Sequence, residues 1–192
     1  PLAEKDQWNN IYGNAGNDTL QAYQGTLIGG KGNDRLERVP IAGEPWRDLQ
    51  VAYWSAGDNL EVNLAEGWAN DGEGGRDTLV GILKVHGSNG KNARITGDAN
   101  DNYYWPNGDT DTFLGGAGFD GISMNSWFQP AAGQPFRQPL LADLNIQVTL
   151  DGRSAVVTPK TGQGFRIEVT DVEYFDVADQ LVEAGEDEAG EL

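Results

Sequence analysis

Asn102, Asp111 and Asp120 recur at an interval of nine residues, and the last of them ends the run Gly115-Gly116-Ala117-Gly118-Phe119-Asp120-Gly121-Ile122. Such an interval leaves about six residues for a glycine-rich turn and about three for a short strand with one buried apolar side chain, so that successive copies stack. Glycine supplies the φ values that a Cβ forbids and lets the turn point its carbonyls inward. The aspartate closes the turn, where its carboxylate can meet a cation held between stacked turns. Carboxylate and carbonyl oxygens together make the hard shell of about six to eight oxygens that Ca²⁺ takes. The spacing therefore predicts a calcium-stapled parallel β-roll.

The same local pattern occurs earlier. Gly13-Asn14-Ala15-Gly16-Asn17-Asp18-Thr19-Leu20 matches it, and Gly29-Gly30-Lys31-Gly32-Asn33-Asp34-Arg35-Leu36 matches it again sixteen residues later. Sixteen is nine plus seven: the intervening turn, Ala22-Tyr23-Gln24-Gly25, lacks two residues and its aspartate but keeps Leu27 as the next inward position. Asp71-Gly72-Glu73-Gly74-Gly75-Arg76-Asp77-Thr78-Leu79 repeats the chemistry outside this register. These copies resemble the RTX, or hemolysin-type calcium-binding, family, whose consensus is Gly-Gly-x-Gly-x-Asp-x-apolar-x. The resemblance implies several bound Ca²⁺ ions, with Asp18, Asp34, Asp77, Asn102, Asp111 and Asp120 as ligands and the turn glycines Gly16, Gly32 and Gly118 offering carbonyls. The alternative is a set of ordinary glycine- and aspartate-rich turns, which the repeat spacing disfavours.

Charge points the same way. Thirty acidic residues against thirteen basic ones give a formal charge of −17. A small domain ordinarily carries a net charge of magnitude about 2 to 8, and about four or five bound Ca²⁺ ions would bring the chain near that range. Folding is therefore expected to depend on calcium. No basic stripe exists to displace counterions from phosphate, which argues against a nucleic-acid partner. The chain has no cysteine, as suits an exported protein that uses metal as its staple. No apolar run is long enough to span a bilayer, so no membrane insertion is expected, and Pro1 to Lys5 does not read as a signal peptide.

The 192 residues are expected to form a single all-β domain. Residues 8–37 make a first RTX-like segment, with Ile11, Leu20, Leu27 and Leu36 inward. Residues 38–86 make a β-strand insert that interrupts it, with half-buried strands at 49–53 and 60–64 and a central strand from Leu79 to Val85. Its residue order resembles the spacers found between RTX blocks. Residues 87–128 make a second RTX-like segment. Residues 129–182 make a proline-interrupted loop followed by antiparallel, sandwich-like β strands, with a hairpin turn at Asp151-Gly152 and a closing strand from Val172 to Val177. Residues 183–192 form an acidic tail. Both chain ends look excised from something longer, consistent with a monomeric module of a larger protein.

The second segment departs from the repeat. Ala93 stands where an aspartate belongs, Asp109 stands where a glycine belongs, and Asp98 and Asp101 crowd the preceding turn. Carboxylates at 98, 101, 109 and 111 in neighbouring turns need a cation, which predicts an irregular site with an open coordination position. Beside it lies an aromatic run, Tyr103-Tyr104-Trp105, with Trp127-Phe128 further on. Exposed aromatics next to a bound cation suit a ligand surface, so Tyr103, Tyr104, Trp105, Trp127 and Asp109 are candidate ligand-binding residues. The alternative is that the aromatics pack the roll against the C-terminal strands.

Catalysis finds little support. The only histidine, His86, sits between Val85 and Gly87 at the end of a strand, and the chain lacks a zinc-protease motif, a cysteine nucleophile and a Gly-x-Ser-x-Gly elbow. Three readings compete. One is a calcium-dependent binding module of a secreted RTX adhesin, exported by type I secretion and held at the cell surface by its parent chain. It would recognise an extracellular peptide C-terminus or glycan through an exposed Ca²⁺ and neighbouring aromatics. Another is a structural, secretion-linked calcium block that folds on export. The third, a glycan-processing enzyme, has no specific feature.

Overall fold

A computed structural model describes residues 8–43, 49–107, 110–124, 133–135, 137–150, 152–161, 164–178 and 181–183. The described residues form an all-β fold of strands joined by turns, with a single 3-10 turn at Leu141–Asp143. The chain passes back and forth between two sheets. It enters on β1 (Asn10–Ala15), crosses to β2 (Thr19–Ala22), returns as β3 (Gly25–Lys31) and crosses again to β4 (Arg35–Arg38). β5 (Leu49–Ala52) lies beside β3, and a meander of β6 (Glu61–Asn63), β7 (Trp68–Asn70) and β8 (Arg76–Val80) follows in the opposite sheet. Alternation resumes with β9 (Lys84–His86), β10 (Ala93–Thr96), β11 (Tyr103–Trp105), β12 (Thr110–Leu114) and β13 (Gly121–Ser123). A hairpin of β14 (Leu144–Val148) and β15 (Ser154–Pro159) precedes β16 (Arg166–Thr170), β17 (Tyr174–Asp176) and β18 (Leu181–Glu183).

The first sheet runs β1-β3-β5-β9-β11-β13-β17-β18 and is parallel throughout except for its last pair. The second runs β14-β15-β16-β12-β10-β6-β7-β8-β4-β2. Its strands β2, β4 and β8 pair in parallel, as do β6, β10, β12 and β16, and the antiparallel β7 splices the two groups together. One full circuit through both sheets takes eighteen residues where the repeat is regular, as in the pairing of Ala93 with Asp111. It takes sixteen where the short turn occurs, as in the pairing of Thr19 with Arg35.

The alternation of each strand decides the core. Leu27, Val51, Val85, Tyr104, Ile122 and Phe175 from the first sheet meet Leu36, Val62, Ile95, Phe113, Ile167 and Val169 from the second in one apolar cluster. Ile11 and Leu20 are only partly buried, because β1 and β2 are edge strands with a neighbour on one side alone.

Two expectations need correction. Residues 38–86 do not interrupt the first sheet: β5 bridges β3 and β9 in parallel, and only the second sheet carries an insertion. Leu79 to Val85 is not one central strand. Gly81, at φ +65°, turns the chain between β8 and β9, so Leu79 and Val85 lie in opposite sheets. The C-terminal strands are antiparallel as expected from β14 through β16 and in the β17–β18 pair, and they continue the same two sheets, with β16 parallel to β12 and β17 parallel to β13. β14 and β15 extend the second sheet beyond the last circuit, as β18 extends the first, and Val148 and Leu150 on the β14–β15 hairpin stay exposed. The Asp151 of the expected hairpin turn lies outside the described residues.

Phe113, 1 % exposed, sits at the centre of the cluster. Phe113→Ala is expected to cost about 3–5 kcal/mol in denaturant unfolding, whereas Val148→Ala, on a side chain 54 % exposed, should stay within about 0.5 kcal/mol.

Candidate metal centre

Parallel strands fix where the turns go. Every crossing from the first sheet to the second falls on one edge of the structure, and every return falls on the other. The turns ending in Asp18 and Asp34 are crossings, and the loop between β7 and β8 delivers Asp77 to the same edge, because β8 lies parallel to β4. The turns ending in Asn102 and Asp120 are returns, as is the Asp171–Glu173 turn between β16 and β17.

On each edge a carboxylate reaches back to the main chain of the stacked turn before it. The Asp18 N–H donates to Asp34 Oδ1 at 2.8 Å, and the Asp34 N–H donates to Asp77 Oδ1 at 2.9 Å. Across the structure, the Asn102 N–H donates to Asp120 Oδ1 at 2.7 Å, and the Asp120 N–H to Glu173 Oε2 at 2.5 Å. Asparagines add a second rung, with the Asn33 N–H on Asn17 Oδ1 and the Arg76 N–H on Asn33 Oδ1.

The second carboxylate oxygen divides the aspartates into two kinds. Asp77 Oδ2 accepts the Tyr53 hydroxyl at 3.1 Å and Asp111 Oδ2 accepts the Tyr104 hydroxyl at 2.9 Å, so these two buried carboxylates have protein donors on both oxygens. Asp18, Asp34, Asp71 and Asp120 each leave Oδ2 buried without a protein partner. A buried, unpaired carboxylate oxygen is costly and calls for a cation or a proton. Glycines make room for these groups. A methyl on Gly29 would overlap Asp34 Oδ2, and one on Gly115 would stand 2.5 Å from Asp120 Oδ2 while striking the Asp171 carbonyl. Gly32 and Gly118, at φ +129° and +132°, press against the carbonyls of Gly16 and Asn100 in the turns beneath. Carboxylate and carbonyl oxygens, with no nitrogen or sulfur among them, suit a hard divalent cation. Among the described residues no three acidic or imidazole side chains converge on one point, so a cation here would draw on carbonyls and water as well as carboxylates.

Burial raises the proton affinity of Asp77, Asp120 and Asp34. Asp77 is pushed up to about 6 by burial, aided by the nearby charges of Asp34 and Asp71. Asp120 is pushed up to about 6 by burial, aided by Glu173, Asp101 and Asp98. Asp34 is raised as well, by burial first and then by Asp18 and Asp71.

Among the described residues, the carboxylates of the expected irregular site do not come together. Nine residues make half a circuit, so Asp98 and Asp101 lie on the return edge while Asp111 lies on the crossing edge; Asp109 is outside the described residues. Asp98 caps its own turn, accepting from the Asn100 N–H and from Asn102 Nδ2, and Asp101 accepts the Phe119 N–H of the next turn. Asn102 is internally satisfied, since its Oδ1 also accepts the Asp98 N–H. Among the expected ligands, Asp77, Asn102 and Asp111 have their side-chain oxygens hydrogen-bonded within the protein. Sequence reasoning missed Asp71 and Glu173, which stand off the nine-residue register.

The aromatic run splits by strand alternation. Tyr104 is fully buried in the core and unavailable to a ligand. Tyr103 and Trp105 face outward on the first sheet in a chain of ring contacts. Trp54 meets His86 edge-on at 5.7 Å, His86 stacks on Trp105 at 4.5 Å, and Tyr103 joins Trp105 to Tyr174, which stacks on Phe119 at 5.3 Å. The outward Thr26, Gln50 and Ser123 on this sheet are buried, while His86, Tyr103 and Trp105 between them are half-buried. Burial holds His86 down to about 4, neutral at physiological pH, as a structural histidine would be. Phe119, 51 % exposed, is the ring at the open end, beside Asp120. Trp127 lies outside the described residues.

Comparison with known protein families and with curated proteins finds no match for this chain.

In the metal-free protein, Asp77 binds its proton more tightly when folded than when unfolded. Its ionisation therefore weakens the fold progressively as pH rises from the ordinary carboxylate value near 3.8 to about 6. Melting in chelator is expected to show stability falling across that window. Asp77→Asn should flatten the slope and raise the melting temperature at pH 7, whereas an unchanged slope would contradict the assignment.

Proposed function

We propose that this chain is a calcium-binding β-roll module of the RTX kind, whose fold is consolidated by cations seated in its stacked glycine–aspartate turns. The observation that carries this reading is the set of buried, unpartnered Oδ2 atoms on Asp18, Asp34 and Asp120, each closing a glycine-rich turn. The cost of leaving them bare, added to a formal charge of −17, makes the metal-free state self-repelling. Calcium removes both penalties. A β-roll explains why the circuit length is eighteen residues where two nine-residue units run together. Export as part of a longer surface-attached chain follows from the RTX resemblance and fits a module that folds on meeting extracellular calcium.

Within that reading the module serves as a calcium-dependent binding unit of an adhesin. The supporting observation is the neighbourhood of Asp120: the adjacent Phe119 is half exposed, it stacks on Tyr174, and Asp101 and Glu173 flank the same turns. A cation there with a free coordination position would take a ligand carboxylate or vicinal hydroxyls while Phe119 covers the apolar part. On this reading recognition sits at the return edge beside Phe119, and the fully buried Tyr104 takes no part in it.

With calcium about 100-fold above Kd, each site adds about 2.7 kcal/mol, so two sites should raise the melting temperature by about 10–20 °C. Asp120→Ala should weaken calcium binding at least about tenfold through loss of a charged ligand, as read by calorimetric titration. A melt indifferent to calcium would remove the reading. On arrays of glycans and of peptides with free or amidated C-termini, calcium-dependent capture is expected, and Phe119→Ala should abolish it without changing the calcium-dependent melt. Loss of capture on amidation would identify the ligand group as a carboxylate; absence of capture with the melt intact would leave a structural calcium block.

A further inference from the structure

We propose a further cation site, outside the nine-residue register, where the loop between β7 and β8 lies against the Asp34 turn, with Asp71 as its defining ligand. The proposal rests on the calcium reading above and adds a position that the repeat pattern does not supply. Asp71 is 2 % exposed and holds its own loop through one oxygen: Oδ1 accepts the N–H groups of Glu73 and Gly75, each at 2.8 Å. Its other oxygen, Oδ2, is buried and has no protein partner.

The loop is docked firmly enough to define a site. The Arg76 N–H donates to Asn33 Oδ1, the Thr78 N–H donates to the Asp34 carbonyl, and the Asp34 N–H donates to Asp77 Oδ1. A methyl on Gly75 would overlap the Gly32 carbonyl oxygen and stand 2.6 Å from Asp71 Oδ2, so a carbonyl and a bare carboxylate oxygen face the same glycine. Asp34 presents a second buried, unpartnered Oδ2 and is 2 % exposed. Asp71 is close enough to Asp34 and Asp77 to act on both electrostatically. Two carboxylate oxygens and a carbonyl, completed by water or further carbonyls, make the start of an oxygen-only shell for Ca²⁺.

A purely structural Asp71 needs only Oδ1, and asparagine supplies that acceptor equally well. Asp71→Asn therefore separates the two roles, because it keeps both loop hydrogen bonds and removes the anionic Oδ2. Calorimetric titration with Ca²⁺ is expected to find one ion fewer in Asp71→Asn than in the wild type, with the ions governed by Asp120 retained. In the wild type, calcium should shift the Glu73 and Gly75 amide resonances saturably, a readout that needs no variant. An unchanged stoichiometry in Asp71→Asn, or Glu73 and Gly75 amides indifferent to calcium, would overturn the site. A wild type that binds no calcium would instead overturn the reading on which it rests.

Discussion

The structure depends on a carboxylate that reaches from one turn to the main-chain N–H of the turn stacked on it. Asp34 holds Asp18 this way, Asp77 holds Asp34, Asp111 holds Ala93 and Asp120 holds Asn102. Each such bond is charge-assisted and buried or partly buried, and it fixes the register of neighbouring circuits. Parallel strands of three to seven residues have little else to stop them slipping, since hairpin turns cannot join them. The glycines follow from the carboxylates, because a side chain at Gly29 or Gly115 would occupy the space the carboxylate needs.

With Oδ1 spent on register at Asp34, Asp77, Asp111 and Asp120, Oδ2 must still be settled, there and at Asp18, and the chain does so in two ways. Tyr53 and Tyr104, both buried, donate their hydroxyls to Asp77 and Asp111. Where no tyrosine reaches, at Asp18, Asp34 and Asp120, the oxygen stays bare. A neutral donor and a divalent cation solve the same electrostatic problem, but only the cation also lowers the net charge. The fold thus combines posts closed by protein groups with positions suited to calcium; along the crossing edge the bare Asp18 and Asp34 precede the closed Asp77 and Asp111.

Much of this was legible in the residues. The interval of nine gave the half-circuit, the interval of sixteen gave the shortened turn, and Leu27 and Leu36 fell inward as alternation requires. What escaped was long-range. No local signal shows that β5 joins β3 to β9, because pairing across 24 or more residues depends on the whole stack. The acidic crowd at 98, 101, 109 and 111 looked like one site on the chain, yet positions half a circuit apart go to opposite edges. Tyr104 looked like surface chemistry in an aromatic run, but strand alternation sends it inward to Asp111. Asp71 and Glu173 carry no repeat signature and become visible only once their turns are stacked.

The most direct measurement is an anomalous difference map from crystals grown in calcium, collected at a wavelength where calcium scatters anomalously. The account predicts peaks within about 2.3–2.6 Å of Oδ2 of Asp18, Asp34 and Asp120, and none on the tyrosine-closed Asp111. A map without peaks there, with those oxygens bonded to water or to a protein donor, would contradict it.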